Sequence, residues 1–101
     1  MTGIRFSWNA TKADSNLKKH GVSFETATRV FFDPFALTEQ DRIEGGERRW
    51  QTLGVVEGHL LLLVAHTVSE DDTEGQPIEV IHIISARRAE RKERRRYEEG
   101  H

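Results

Sequence analysis

The sequence predicts one α+β domain in which helices pack on an antiparallel sheet. A strand-like segment near the N-terminus is followed by two helix-like segments, then by four strand-like segments and a final helix-like segment. The predicted order is β-α-α-β-β-β-β-α. Helices grouped apart from strands are typical of a meandering antiparallel sheet with helices packed on it. With 101 residues, the chain suffices for one modest core, so residues 1–101 are predicted to form a single domain.

The N-terminal part predicts a strand and two helices. Residues 4–8 (IRFSW) alternate apolar and polar side chains, which is typical of a half-buried strand. Asn9 can cap a first helix that ends at Gly21, a common residue just after a helix. Ser23 can cap a second helix, which must stop before Pro34 because proline disfavours helical geometry in the residue before it.

The rest of the chain predicts β structure and one last helix. The predicted strands are residues 35–39, 48–56, 59–67 and 78–85. We expect a loop around Glu44–Gly46 and a hairpin turn at Glu57–Gly58. Residues 69–79 carry five acidic residues and no basic one, which predicts a solvated loop. Ser85 is the predicted N-cap of the last helix.

Composition limits the classes of function. The chain has no cysteine, which excludes disulfides and thiolate metal ligands. It has no apolar run of signal-peptide or transmembrane length, so we expect a cytoplasmic protein without a membrane partner. The net charge is only −2, yet seven of the fifteen Lys and Arg residues lie between positions 87 and 97. Local charge, rather than net charge, therefore carries information about partners.

The basic segment has two interpretations. An arginine-rich helix is often only a solvated face. Against this, six of its seven basic residues are arginine, whose planar guanidinium suits bidentate phosphate contacts. Arg87 and Arg88 also follow a predicted strand directly, so the sheet would fix their position.

The histidines and tryptophans leave further alternatives. His20 ends the first helix, where it either caps the helix dipole or has a functional role. His66 and His82 lie on predicted strands that could form a hairpin, and they would suggest a metal site if they met. No third ligand stands at a recognisable spacing. Structural roles are therefore favoured, and no metal or cofactor is predicted. Trp50 is predicted to be core, with Arg49 on the other face of the sheet.

Several blocks, taken in order, carry a resemblance to a known family. They are FSWNATKADSNLKKHGVSFETATRVFFDP, then GERRWQTLG, then IISARRAERKERRRYEEG. Together they resemble the BrnT family, toxins of type II toxin–antitoxin modules, from Phe6 to about Glu99. Two departures stand out. The stretch SEDDTEGQP is longer and more acidic than the tight turn expected there, and the arginine before Trp50 aligns through either Arg48 or Arg49, with adjacency favouring Arg49.

The resemblance implies a RelE-like fold and RNA cleavage, with or without the ribosome, that inhibits translation and growth. It also implies neutralisation by a BrnA-type antitoxin with a ribbon-helix-helix domain, through which the toxin would reach DNA only indirectly. The net charge of −2 agrees with indirect DNA contact, because a protein with this charge is unsuited to binding duplex DNA by itself.

For such a toxin we expect metal-independent cleavage by the RNA 2′-OH. Arg49 and Arg87 would stabilise charge on the phosphorane, and His20 would act as base or acid. Tyr97 would stack a base or donate a proton, and the residues do not rank it against His20. The predicted phosphate-binding residues are Lys19, Arg48, Arg88, Arg91 and Arg94. The alternative is a non-catalytic module that binds nucleic acid or the antitoxin.

Overall fold

A five-stranded sheet forms the centre of the structure, a computed structural model that describes residues 3–73 and 75–100. The elements in chain order are β1 (Gly3–Ser7), α1 (Ala10–His20), α2 (Phe24–Ala27), a 3-10 helix (Thr28–Phe32), β2 (Leu37–Glu44), β3 (Glu47–Val56), β4 (Leu60–Asp71), β5 (Ile78–Arg88) and α3 (Arg91–Glu99). The strand order across the sheet is β1-β5-β4-β3-β2. The α+β class is therefore as predicted.

The sheet is mixed, so the prediction of a wholly antiparallel sheet is wrong for one strand. Strands β2 to β5 form an antiparallel meander, but β1 pairs parallel with β5, from Gly3 opposite Ile78 to Ser7 opposite His82. The meander leaves one edge of β5 free, and β1 occupies it. Pairing there places Phe6 against the helical layer, with its ring centroid 5.5 Å from that of Phe31.

The main core lies between the sheet and the layer formed by α1, α2 and the 3-10 helix. Its fully buried members include Phe24, Val30, Leu62, Val64 and Ile83. One contact requires a glycine: a Cβ atom on Gly54 would lie 2.7 Å from the Cβ of Val30. The 3-10 helix therefore packs directly on the backbone of β3.

Helix α1 begins and ends as predicted. The Asn9 side chain accepts from the Lys12 N–H, and Gly21 adopts a left-handed conformation with φ 70°. Inside this helix, buried Asn16 donates to the carbonyls of Val22 and Ala86, and its Oδ1 accepts from the Ala86 N–H. Asn16 thus satisfies the backbone of β5 at a point beyond the end of β1.

The second predicted helix is shorter and less regular than expected. The Ser23 hydroxyl caps it by accepting from the Thr26 N–H, as predicted. The α-helix itself, however, is a single turn of four residues, and the chain continues as the 3-10 helix. This tighter winding brings Val30 onto Gly54.

The predicted loop at Glu44–Gly46 and the predicted hairpin turn at Glu57–Gly58 both form tight turns at those positions, although the strands are longer. Strand β2 extends to Glu44, and only Gly45 and Gly46, both with positive φ, separate it from β3. The turn after β3 contains Glu57 and Gly58 with φ 57° and 78°. The predicted acidic loop is shorter than residues 69–79, because β4 runs to Asp71 and β5 starts at Ile78.

The last helix does not start at Ser85, so that prediction is wrong. Strand β5 continues to Arg88, and Glu90 caps α3 in a reciprocal capping box with Glu93. The strand persists through Ser85 because the next residue, Ala86, is fully buried and its backbone is bonded to Asn16.

Helix α3 covers the second face of the sheet. Since Gly54 faces the 3-10 helix, its neighbour Leu53 must face the other way. Leu53 and its cross-strand partner Leu63 are buried there, close to an ion pair between Arg87 of β5 and Glu93 of α3. Within residues 3–73 and 75–100, no helix is long and apolar enough to cross a membrane.

Candidate functional site

The face of the sheet that carries α3 divides into an apolar and a polar half. Strand alternation and the cross-strand register assign its side chains. The apolar half, next to α3, contains Leu37, Leu53, Leu61 and Leu63. The polar half, here called the polar face, contains Ser7, Arg49, Gln51, Thr67, His82 and Ser85. A row of polar side chains on an open sheet face is a candidate binding surface.

Arg49 is the most unusual side chain of the polar face. It is 25% exposed, and its Nε atom is buried without a hydrogen-bond partner among the described residues. The nearest carboxylate oxygen, Oε2 of Glu44, lies 3.6 Å from Nε, which is too far for a hydrogen bond. Arg49 therefore has an ion-pair partner but no hydrogen bond from Nε to any described residue, which leaves the guanidinium with donor capacity for an anion.

The register aligns Arg49 with polar residues on three other strands. His82 is opposite Ser7 on one side and Thr67 on the other. Trp50 is opposite His66, so the ladder brings the preceding Arg49 level with Thr67. Neighbouring strands are about 4.8 Å apart, which puts the backbones of Arg49 and His82 about 10 Å apart.

His82 is a polar-face residue for which sequence reasoning favoured a structural role. Its Nδ1 lies 2.9 Å from the Ser7 hydroxyl. No described residue hydrogen-bonds its Nε2. The sequence pattern does indicate its orientation: Ile81 and Ile83 face the core, so strand alternation turns His82 to the opposite face of the sheet. A bulge at residue 84 then separates His82 from the regular pattern of the following residues.

Arg87 lies on the same face of the sheet but is already paired. Its Nη1 and Nη2 donate to the two carboxylate oxygens of Glu93 at 2.8 and 2.6 Å. These hydrogen bonds are the main cause that lowers the pKa of the Glu93 carboxyl and raises the pKa of Arg87. An anion that binds Arg87 must therefore displace Glu93.

Tyr97 holds α3 in place. Its hydroxyl donates to Oδ2 of Asp33 at 2.5 Å, and the same oxygen accepts from the Val55 N–H at 2.8 Å. Burial, and then the bond to Asp33, raise the pKa of Tyr97 to about 12. This makes the hydroxyl a weaker acid and favours an anchoring role over proton donation.

The structure places His20 and Lys19 apart from Arg49. Both border a shallow recess at the edge of β5, beside Ile84 and Ser85. Arg49 stands on β3, two strands away from β5. His20 therefore approaches the polar face from its edge, near Ser85.

The remaining predicted phosphate-binding residues point in other directions. Arg48 borders a recess with Ile43 and Trp50 on the helical side of the sheet, opposite to Arg49. Arg88 borders another recess on that side, below α1 and α2. Arg91 and Arg94 are exposed on α3 and make no ion pair with any residue in 3–73 and 75–100. The structure thus separates the predicted set across both faces of the sheet.

His66 is a buried histidine on the helical side and does not share a site with His82. It is 2% exposed, lies 2.8 Å from the Thr52 hydroxyl and packs edge-on against Phe31. Burial lowers its pKa. No group of three histidine or carboxylate side chains suited to a metal ion occurs in the part of the chain that the structure describes.

Comparison with known proteins decides the family. A family model described as the ribonuclease toxin BrnT of type II toxin–antitoxin systems matches residues 8–93. The chain belongs to this family. It is accordingly a ribonuclease toxin of a type II toxin–antitoxin system, with an antitoxin as partner and RNA as target. No curated protein sequence matches this BrnT chain significantly.

A solved structure supports the fold of this BrnT chain. The 1.1 Å crystal structure of the Brucella abortus ribonuclease toxin BrnT is similar with a TM-score of 0.59 and 19% sequence identity. The similarity covers 89% of this chain and 100% of the Brucella chain. The two proteins therefore share their architecture over most of their length.

Proposed function

We propose that this BrnT toxin cleaves RNA without a metal ion. The 2′-oxygen of a ribose forms a bond to the adjacent phosphorus and the bond to the 5′-oxygen breaks. The products are a 2′,3′-cyclic phosphate and a 5′-hydroxyl. The observation that carries the proposal is the buried Nε of Arg49 on the polar face, which makes no hydrogen bond to any described residue, because this reaction needs a fixed cation where negative charge develops.

Arg49 would stabilise the phosphorane, with support from other arginines. Arg87 can join it once phosphate takes the place of Glu93. Arg91 and Arg94, exposed on α3, would hold flanking phosphates, and Lys19 would do so at the edge of β5. The side of the sheet favours Arg49 over Arg48 as the charge-stabilising residue.

The same chemistry needs a group that moves a proton. Of the two residues predicted from the sequence for this task, His20 has the more suitable side chain and lies at the edge of the polar face, next to Ser85. Tyr97 has the less suitable hydroxyl, since the pKa of Tyr97 is raised to about 12. Arg88, on the helical side, would contact only RNA that wraps around the end of β5.

The antitoxin would be of the BrnA type, with a ribbon-helix-helix domain that supplies the DNA contacts. We propose that it covers the outer face of α3, where Arg91 and Arg94 offer positive charge to an acidic segment. RNA cleavage would block translation and growth in the cytoplasm when the antitoxin is absent. We further propose that the fold is RelE-like, in keeping with a small sheet that bears its basic residues beside a C-terminal helix.

The test compares two arginine substitutions. Arg49→Gln should lower the rate of RNA cleavage by about 100-fold or more, which is typical for the loss of one preorganised donor. Arg29→Gln is the matched control, because Arg29 is 59% exposed and its ion pair is with Glu57, in the turn after β3. Equal rates for both variants at equal folded fraction would remove Arg49 from the site.

A further inference from the structure

We infer that His82 is the general base of the cleavage reaction, held in position by Ser7. The inference rests on the proposed function and assigns one of its steps to a residue. Three features of the polar face carry it: the shared row of Arg49, Thr67 and His82, the bond between His82 and Ser7, and the His82 Nε2, which no described residue hydrogen-bonds.

The shared row puts His82, the base, at the same level of the sheet as the Arg49 guanidinium. A phosphate bound to Arg49 above Thr67 would have its ribose on the β5 side, towards His82. The backbones are about 10 Å apart across the single strand β4, and both side chains lie on the same face of the sheet. Thr67, between them, is only 7% exposed, so the phosphate would be bound by Arg49 rather than by the Thr67 side chain.

The contact with Ser7 accommodates the form of the imidazole that can act as a base. When Nδ1–H donates to the Ser7 hydroxyl oxygen, Nε2 keeps its lone pair. Nε2 then accepts the proton of the 2′-OH as the 2′-oxygen bonds to phosphorus. The leaving 5′-oxygen takes a proton from water, and His82 later returns its proton to water. Ser7 is a positioning residue, since it acts through His82.

The other histidines are less suited to this step. His20 stands at the far edge of β5, and His66 is buried on the opposite side of the sheet. His59 is exposed in the turn after β3, where its Nδ1 contacts the Glu57 carbonyl. Of the histidines in the described part of the chain, His82 alone faces the same side as Arg49 and shares its row.

The experiment measures cleavage of an RNA oligonucleotide by His82→Ala, with His59→Ala as the control that keeps the wild-type rate. Loss of a general base typically slows the reaction by about 100- to 10,000-fold. Added imidazole should restore the His82→Ala rate in proportion to its unprotonated concentration, which a purely structural role would not produce. Ser7→Ala should slow cleavage to a smaller extent, and Ser7→Thr, which keeps the hydroxyl, should recover it.

A modified substrate separates base from acid. With sulfur in place of the bridging 5′-oxygen, the leaving group needs no proton, so His82→Ala should remain slow because attack still lacks a base. His82→Gln, which retains an amide that can contact Ser7, controls for folding through its melting temperature. Three results would each overturn the inference. They are full recovery of His82→Ala on the sulfur substrate, a wild-type cleavage rate for folded His82→Gln, and rescue by imidazole of His20→Ala in place of His82→Ala. Failure of wild-type protein to cleave RNA would refute the proposed function itself.

Discussion

Glu93→Gln should make the toxin less stable and a better phosphate binder at the same time. The substitution keeps the shape of the side chain and an oxygen that can still accept from the Glu90 N–H. It removes the negative charge that pairs with both terminal nitrogens of Arg87 at 2.8 and 2.6 Å. The guanidinium would remain partly buried and lose its counter-charge.

The size of the effect follows from the burial of the pair. The Glu93 and Arg87 side chains are 13% and 31% exposed, so solvent screens them only in part. Hydrogen bonds to charged groups contribute about 1.5–3 kcal/mol each in mutational series, and a Gln can retain one of them. We expect the free energy of unfolding, measured by urea denaturation at pH 7, to fall by about 2 kcal/mol.

The same change should release Arg87 for phosphate. Binding of a non-cleavable 2′-deoxy oligonucleotide should tighten, and the dependence of log K on log salt should steepen by about 0.7, the value for one more phosphate contact on a single strand. Glu98→Gln is the control, because Glu98 is exposed on α3 and makes no ion pair with any described residue. If both variants match in stability and salt dependence, the pair does not restrain Arg87.

Three further changes test other parts of the structure. Asn16→Ala should lower the free energy of unfolding by about 2–4 kcal/mol. Three buried backbone groups lose their partner at roughly 1–3 kcal/mol each, and water compensates for part of this loss. A free energy of unfolding within about 0.5 kcal/mol of wild type, as for a neutral surface change, would contradict this. Tyr97→Phe should lower the free energy of unfolding by about 1.5–3 kcal/mol, because the bond to Asp33 is lost. Its cleavage rate per folded molecule should fall far less than that of Arg49→Gln. A comparable fall would mean that Tyr97 takes part in the reaction. Stability should decrease as pH falls below 6.5, since the lowered pKa of His66 lets the unfolded chain bind a proton that the folded chain does not, and His66→Gln should flatten that part of the curve.

The sequence predicted most elements of the fold because their signals are local. Caps at Asn9 and Ser23, and the positive-φ residues of the two hairpin turns, depend on a few neighbouring side chains. The parallel pairing of β1 with β5 joins segments more than seventy residues apart, and no local pattern specifies it. The start of α3 was missed for the same reason, since the contact between Asn16 and Ala86 keeps Ser85 in the strand.

In the candidate site, too, the sequence predicts features that depend on neighbouring residues and misses those that depend on distant contacts. Strand alternation correctly placed Arg49 opposite to Trp50, and the resemblance led to the family that the comparison establishes. The pairing of Arg87 with Glu93 depends on how α3 returns over the sheet, which composition does not determine. His82 lies level with Arg49, across β4, only because of the register of three strands, which no local pattern specifies.

The central claim is tested most directly by the ends of the cleaved RNA. Purified toxin would be incubated with end-labelled RNA in EDTA, in parallel with the same sequence carrying 2′-deoxy sugars. The proposed mechanism predicts cleavage that survives chelation, leaves 2′,3′-cyclic phosphate and 5′-hydroxyl ends, and does not occur on the 2′-deoxy strand. Activity that EDTA abolishes and a divalent metal restores, or products with 5′-phosphate ends, would contradict it.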